Sequence, residues 1–300
     1  MAGYDTPAGT GPAGTAGPGT PAGTPAPAGP AAPAGPGRPG PSPRAGRRGW
    51  LVAGSVVAGA AVVFATWSLL NMVAREIVTE RSTFGAAGLT GLDIDGLHGR
   101  VEVVGASVDE VTVEARITHG LRRTGHDVRV EDGVLRLTTD CPPGPPLWCN
   151  IDYRVSVPSG LAVEATTRNG SVALRDLDGP VTARTSNGAV RVARMGGDLD
   201  IRTSNGSIEA RALTSATVTA RTSNGAVELT FAAAPTIVDA RTSNGSVEVV
   251  VPDGPTTYRL DMQTSFVGST DTAVRTDPAS PRSITARTSN GSITVRYPTG

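Results

Sequence analysis

Apolar and polar residues alternate with period two through most of the second half of the chain, the pattern of strands with one buried face. Val181, Ala183 and Thr185 fall on one side, Thr182, Arg184 and Ser186 on the other. After a break at Asn187-Gly188 the alternation resumes, with Val190 and Val192 inward and Arg191 outward. The same phase returns in Leu199, Ile201 and Thr203, followed by Ile208 and Ala210. It returns again in Val218–Thr222 with Val227 and Leu229, in Val238–Thr242 with Val247 and Val249, and in Ile284–Thr288 with Ile293 and Val295. Each unit therefore predicts two short strands separated by an Asn-Gly break. Upstream the pattern is weaker. Leu92–Val103 reads as a divergent first unit, and strands are expected around 108–118 and 127–138.

A different pattern marks the N-terminal part. Gly49 to Ala74 carries no charge, and Trp50–Leu70 is an apolar run of 21 residues. About 20 such residues span a bilayer as a helix, and Trp50 and Trp67 lie towards its ends, where indoles favour the interface. The run starts too late and is too long for a cleaved signal peptide, and no small-x-small cleavage site follows it. Arg38, Arg44, Arg47 and Arg48 precede it, whereas Arg75 and Arg81 after it are interleaved with Glu76 and Glu80. Cationic flanks stay cytoplasmic, which predicts a cytoplasmic N-terminus and an external C-terminal part. Before the helix, Pro-Ala-Gly-Thr recurs at Pro7–Thr10, Pro12–Thr15 and Pro21–Thr24, a composition with little to bury and no expected fold. The expected plan is a disordered tail over 1–49, a transmembrane helix over 50–74, a juxtamembrane linker over 75–84 and a β-repeat domain over 85–300.

The breaks between strands are nearly verbatim copies. Arg-Thr-Ser-Asn-Gly occurs at 184–188, 202–206, 221–225, 241–245 and 287–291. Thr167-Arg-Asn-Gly170 is a weaker sixth copy, and Gln263-Thr-Ser-Phe-Val-Gly268 a degenerate one with an inserted residue. Asn169, Asn187, Asn205, Asn224 and Asn244 are 18, 18, 19 and 20 residues apart, and Asn290 follows after 46, two units around the degenerate copy. A fixed period of this kind signals a repeat architecture. The pairs Asn169-Gly170, Asn187-Gly188, Asn205-Gly206, Asn224-Gly225, Asn244-Gly245 and Asn290-Gly291 are expected to supply positive φ for sharp turns. Two all-β architectures use such turns. In a parallel β-solenoid each unit stacks on the last and like residues form columns. In an antiparallel meander Asn-Gly closes hairpins, placing Arg202 opposite Glu209, Arg221 opposite Glu228 and Arg241 opposite Glu248. Near-identical copies favour the solenoid, because neighbours in a meander need complementarity and not identity.

The repeated Thr-Ser-Asn-Gly-Ser/Ala-Val/Ile units and the Val155-Ser-Val-Pro-Ser-Gly160 entry before them resemble the bacterial "putative adhesin" β-strand-repeat family. The resemblance covers roughly residues 85–300. It implies a β-helix-like fold and a place in the cell envelope, and it brings no catalytic residues.

Composition adds constraints. Basic and acidic residues balance at 27 each, so no bulk field points to nucleic acid. Every basic residue is Arg, which reads as codon bias. Aromatics are 4% of the chain, which suits a thin core of Val, Ile, Leu, Ala and Thr. Cys141 and Cys149, the only cysteines, flank a Pro-rich loop in the exported part, and a disulfide is the simplest expectation.

Candidate chemistry is sparse. His98, His119 and His126 read as separate, exposed loop histidines. Gly196-Gly-Asp-Leu-Asp200 occurs once, whereas calcium sites of repeat proteins draw ligands from consecutive turns, so neither a metal nor another cofactor is expected. No Gly-x-Ser-x-Gly elbow is present. What remains is the column formed by Arg184, Arg202, Arg221, Arg241 and Arg287. These arginines either pair with outward Glu209, Glu228 and Glu248, or form a ridge for an anionic envelope polymer or surface protein, or meet a second copy of the chain. The expected function is a non-catalytic, membrane-anchored surface module for adhesion, envelope interaction or sensing. The alternative is a carbohydrate-active enzyme on a β-helix. The exported aromatics Trp148, Tyr153, Tyr258, Tyr297, Phe84, Phe231 and Phe266 are scattered, which favours the first.

Overall fold

The computed structural model describes residues 43–73, 76–119, 124–141 and 149–298. The predicted tail up to residue 42, Arg75 and the loop 142–148 with Trp148 lie outside them. Helix α1 (Pro43–Val73) contains the apolar run Trp50–Leu70, with mean hydropathy 1.8 and none of it buried. It is long and apolar enough to cross a membrane.

The remainder is strand. The N-terminal group comprises β1 (Glu76–Gly85), β2 (Gly91–His98), β3 (Val101–Ala106), β4 (Glu110–His119), β5 (Gly125–Glu131), β6 (Val134–Asp140) and β7 (Asn150–Pro158). The repeats follow as strand pairs: β8 (Ala162–Asn169) and β9 (Val172–Leu177), β10 (Val181–Asn187) and β11 (Val190–Met195), β12 (Leu199–Asn205) and β13 (Ile208–Leu213). Then come β14 (Thr217–Arg221) and β15 (Val227–Phe231), β16 (Ile237–Arg241) and β17 (Val247–Val250). The last two pairs are β18 (Arg259–Val267) with β19 (Thr270–Thr272), and β20 (Ser283–Asn290) with β21 (Ile293–Arg296).

These strands form two mixed sheets. A front sheet runs β18-β20-β16-β14-β12-β10-β8-β2-β6-β5, and a back sheet runs β1-β4-β7-β3-β9-β11-β13-β15-β17-β21-β19. Every repeat gives its first strand to the front sheet and its second to the back sheet. Successive repeats pair in parallel, like residue on like residue: Thr185 on Thr203, Arg202 on Arg221, Val227 on Val247. The hairpin alternative is thereby excluded. The strands on either side of an Asn-Gly break lie in different sheets, and Arg202 does not face Glu209.

Leu92–Val103 does form a first rung of this stack, β2 resting on β8 and β3 on β9. The single strand expected over 127–138 is instead two, β5 and β6, paired antiparallel about Asp132-Gly133 with φ of 52° and 78°. The inward residues of both sheets merge into one aliphatic core, with Tyr153, Tyr258 and Phe231 as its buried aromatics.

The motif is explained by contacts between rungs. Each Asn side chain donates to the previous one: Asn187 Nδ2 to Asn169 Oδ1 at 2.8 Å, then Asn205, Asn224, Asn244 and Asn290 in turn at 3.0 Å. In the five full copies the buried Thr hydroxyl donates to the carbonyl of the previous rung's glycine, as Thr203 does to Gly188 at 3.1 Å and Thr222 to Gly206 at 2.9 Å. Each glycine N–H but that of Gly291 donates to the Asn carbonyl of the following rung, as Gly188 does to Asn205 at 3.0 Å; Gly291 donates to Val267 of the degenerate unit at 2.8 Å.

The glycines themselves correct an expectation. Only Gly225, Gly245 and Gly291 of the six have left-handed φ, at 147°, 148° and 147°, and none of the six asparagines does. The shared requirement is close approach. A Cβ on Gly206 would stand 2.0 Å from the Gly188 carbonyl oxygen, and one on Gly188 would stand 2.1 Å from that of Gly170. Stacking, more than turn conformation, demands glycine here.

The degenerate copy also departs from expectation. It does not lie between its neighbours in sequence. Strands β20 and β21 insert between the 237–250 rung and the 259–272 rung, so the degenerate unit ends the stack and Asn290 bonds directly to Asn244. Val267, which occupies the ladder position in the degenerate unit, cannot extend a chain of amides.

Candidate functional site

Side chains on the exposed face of the front sheet fall into two adjacent columns fixed by strand register. In the first, Arg184, Arg202, Arg221, Arg241 and Arg287 stand on consecutive strands β10, β12, β14, β16 and β20. Two residues earlier on each strand, and so on the same face, lies the second. Across β8, β10, β12, β14, β16, β20 and β18 it reads Glu164, Thr182, Asp200, Thr219, Asp239, Thr285 and Asp261. Acid and threonine alternate strand by strand. This second column went unnoticed in the sequence, although its signal is there: Val-Thr-Ala-Arg184, Leu-Asp-Ile-Arg202, Val-Thr-Ala-Arg221, Val-Asp-Ala-Arg241.

Arginines stacked about 4.8 Å apart repel one another, and an acid on every second strand offsets this by meeting the arginines beside it. Arg184 lies 2.6 Å from Glu164 and 3.7 Å from Asp200, and Arg202 lies 3.1 Å from Asp200. Arg221 and Arg241 both reach Asp239 at 2.6 Å, and Arg287 reaches Asp261 at 2.6 Å. Burial pushes the Asp239 carboxyl up, but hydrogen bonds from Arg221 and Arg241 outweigh it and hold the group below the ordinary carboxylate range. Over the strands from β8 to β18 the two columns hold five arginines against Glu164, Asp200, Asp239 and Asp261, a net charge of +1.

The expected partners Glu209, Glu228 and Glu248 are not involved. The Asn-Gly turn carries the chain to the other sheet, so these acids form an in-register column on the back face. There Glu209 meets Arg191 at 3.4 Å and also Arg211, and Glu248 meets Arg296 at 2.7 Å.

Beside the front columns, at the strand starts, a groove of about 640 Å³ crosses β6, β2, β8, β10, β12 and β14. Small residues at Gly91, Ala162 and Pro180 help make it concave. Carboxylates of Asp93, Glu164, Asp198 and Asp200, hydroxyls of Thr182, Thr217 and Thr219, and guanidiniums of Arg136, Arg202 and Arg221 line it. Burial and the neighbouring Glu164 carboxylate push the Asp93 carboxyl up, against the pull of Arg136.

The other predicted residues have structural settings. His98 is half-buried on β2 and ends the amide ladder, its Nδ1 3.1 Å from Asn169 Nδ2. His126 is nearly buried on β5, with Nε2 2.9 Å from Glu80 on β1, the edge strand of the other sheet. Neither is the exposed loop histidine that the sequence suggested. Cys141 and Cys149 are disulfide-bonded, with Cα atoms 5.9 Å apart. Among the described residues no group of three or more His, Cys, Asp or Glu is placed to hold a metal.

No protein-family model matches the chain, and no curated protein does. Solved structures do. One is a "putative cell adhesion protein" from Clostridium sporogenes, 8% identical, with the match covering 74% of this chain and 100% of that one at a TM-score of 0.35. A "putative adhesin" from Bacteroides fragilis is 14% identical over 74% of this chain and 97% of that one, TM-score 0.38. Another "putative adhesin", from Parabacteroides distasonis, is 14% identical over the same shares, TM-score 0.35.

Proposed function

We propose that the chain is a non-catalytic, membrane-anchored surface module, in which α1 crosses the membrane and residues 85–300 form an extracytoplasmic parallel β-solenoid that contacts an anionic envelope polymer or surface protein. The observation that carries this reading is the division of roles within Arg-Thr-Ser-Asn-Gly. Thr, Asn and Gly are consumed in bonds between rungs, while Arg, the one charged residue of the motif, points out strand after strand beside the acid–threonine column. The repeat builds a stiff scaffold and a periodic face at once. Parallel in-register pairing and the transfer of each repeat from one sheet to the other support the solenoid. The uncharged 21-residue run in α1, preceded by arginines, supports the anchor and its orientation.

The test replaces Arg202, Arg221 and Arg241 with Gln in the full-length protein and measures attachment to isolated cell-envelope material. Attachment should fall, and wild-type attachment should weaken with salt, because exposed charges are screened beyond ~10 Å at 0.1 M. Folding should persist, since exposed pairs contribute only ~0–1 kcal/mol each. Undiminished, salt-insensitive attachment by the triple variant would remove the front face from the proposal. Protease added to intact cells should digest residues 85–300; protection of that region in cells whose envelope admits the protease would reverse the orientation.

A further inference from the structure

We infer that two copies of the chain join head to head through the open end of the stack formed by β18 and β19. The inference goes beyond the front-face reading and does not rest on it, because it uses the edges of the sheets and not the Arg column. β18 and β19 are the outermost strands of their sheets at the same end. Repeat stacks need terminal units with a polar outer face, and this unit lacks one. Leu260 and Met262 are only half-buried, whereas Ile284 and Ala286, their register partners on β20, are fully buried. Phe266 and Val267 are 80% and 72% exposed, the highest values for large apolar side chains outside α1 among the described residues. The opposite end is guarded by charge, as exposed edges commonly are. There β5 carries Asp127, Arg129 and Glu131 in ion pairs, and Arg81 of β1 pairs with Glu114. From Met262 to Val267 the β18 edge carries no charge at all.

This edge is its own complement. Arg259 donates its N–H to the Arg282 carbonyl at 2.8 Å, on the β20 side. Backbone groups of successive residues point to opposite sides of a strand, so Leu260, Met262 and Thr264 turn their N–H and C=O to the open side. Two copies of β18 laid antiparallel about Met262 satisfy all of them. Met262 bonds Met262 of the second copy, and Leu260 bonds Thr264 of the second copy in both directions. On the inner face the register sets Leu260 against Thr264 and Met262 against Met262; on the outer face it sets Asp261 against Gln263. Gln263 Nε2 donates to Asp261 of its own strand at 3.0 Å and has a second N–H for Asp261 of the copy. No like charges face each other. Phe266 and Val267 come to lie over the start of the copy's β18, where they leave water. The two-fold axis stands normal to the sheets, so front sheet continues into front sheet and the β19 edges meet behind it. Such a contact closes at two copies. Joining β18 to β5 would instead set an uncharged edge against Asp127, Arg129 and Glu131, and would not close.

The experiment follows the mass of full-length protein in detergent by sedimentation velocity over a range of concentrations, and maps the contact with cysteines. A dimer that grows no further is expected. Met262→Pro removes an outward N–H without touching the ladder to β20, and Phe266→Glu places a charge on a side chain that is already exposed. Each should weaken dimerisation by about tenfold or more. Protein with Arg202, Arg221 and Arg241 replaced by Gln should dimerise as the wild type does, so the fate of the front-face reading is read separately; dimerisation lost with the arginines would move the contact to the front face and overturn the inference. Asp261→Cys protein mixed with Gln263→Cys protein should cross-link on mild oxidation, because the two positions are directly opposed, about 4.5–5.5 Å apart at Cα. Neither variant alone should cross-link, since like positions lie diagonally, about 7–8 Å apart. A wild type that stays monomeric sinks the proposal. So does a dimer that survives both Met262→Pro and Phe266→Glu, since the copies then meet through α1 or another face. Species that keep growing with concentration would show head-to-tail joining through β5 and β1, and the two-fold arrangement would be wrong.

Discussion

At Gly206 the space a Cβ would need is taken by the Gly188 carbonyl oxygen, 2.0 Å away. Gly206→Ala must therefore push two rungs apart, although the backbone there is not left-handed. A cost of about 2–3 kcal/mol is expected, in the range of overpacked interiors. Asn205→Ala acts differently. It removes one bond to Asn187 and one from Asn224, both 3.0 Å, on an exposed ladder, for about 1–2 kcal/mol. Urea unfolding of the two variants checks both the values and their order. Equal stability of Gly206→Ala and the wild type would mean that the rungs are not in contact at this column. The end of the ladder offers a gain-of-order test. His98→Asn continues the row of amides by one and should cost little, whereas His98→Ala leaves Asn169 Nδ2 without its partner.

Two features of the strands lie beyond the apolar–polar alternation within each one. One is a bulge. Asp176, Arg194 and Ala212 have φ of 61°, 53° and 53° at equivalent places near the ends of β9, β11 and β13. An L-residue in this conformation costs roughly 1–2 kcal/mol, and Asp176 and Arg194 form an ion pair across it, which Ala212 cannot. Ala212→Gly should therefore stabilise the domain by about 0.5–1 kcal/mol once the greater freedom of glycine in the unfolded chain is deducted. A lower melting temperature for this variant would contradict the backbone geometry. The other feature is the alternation of acid and threonine, which has a pH consequence. Because the Asp239 carboxyl is held below its ordinary range in the folded protein, its contribution to stability is complete above the unfolded value of about 3.9. It is lost as pH falls through the lower folded value. Asp239→Asn lacks this contribution, so its urea midpoint should fall less steeply than that of the wild type on the acid side; parallel acid limbs would show that Arg221 and Arg241 do not hold the carboxylate.

For the whole molecule, period-two alternation located the repeat strands, and the verbatim motif pointed to like-on-like pairing. Asn169, Asn187 and the rest were recognised as turn residues, but their main engagement is with the next rung, which no single repeat can reveal. The expected pairing of the arginines with Glu209, Glu228 and Glu248 fails because these acids follow the Asn-Gly turn and so lie on the other sheet. Because the turn passes to the other sheet, the near acids are those of the adjoining column: Asp200 and Asp239, two residues before Arg202 and Arg241, and Glu164 and Asp261 on the flanking strands. The strand order at the C-terminal end was the hardest feature to foresee, since chain order and spatial order differ there.

The acid–threonine column gives that order an independent argument. In chain order Asp239 would be followed by Asp261 and then Thr285, placing two carboxylates on neighbouring strands about 4.8 Å apart. In the observed order Thr285 separates them, and the alternation that begins at Glu164 continues without a break. The amide ladder agrees, because Asn290 follows Asn244 only if β20 is inserted. Cysteine pairs distinguish the two arrangements. With Asp239→Cys and Thr285→Cys together, or Thr285→Cys and Asp261→Cys together, mild oxidation should form a cross-link, since each pair occupies directly paired positions on adjacent strands. Asp239→Cys with Asp261→Cys should not, as a full strand lies between them. Efficient cross-linking of 239 to 261, read by peptide mapping, would show that the degenerate unit stacks in chain order. The last repeat would then end the stack, its place as the penultimate rung lost.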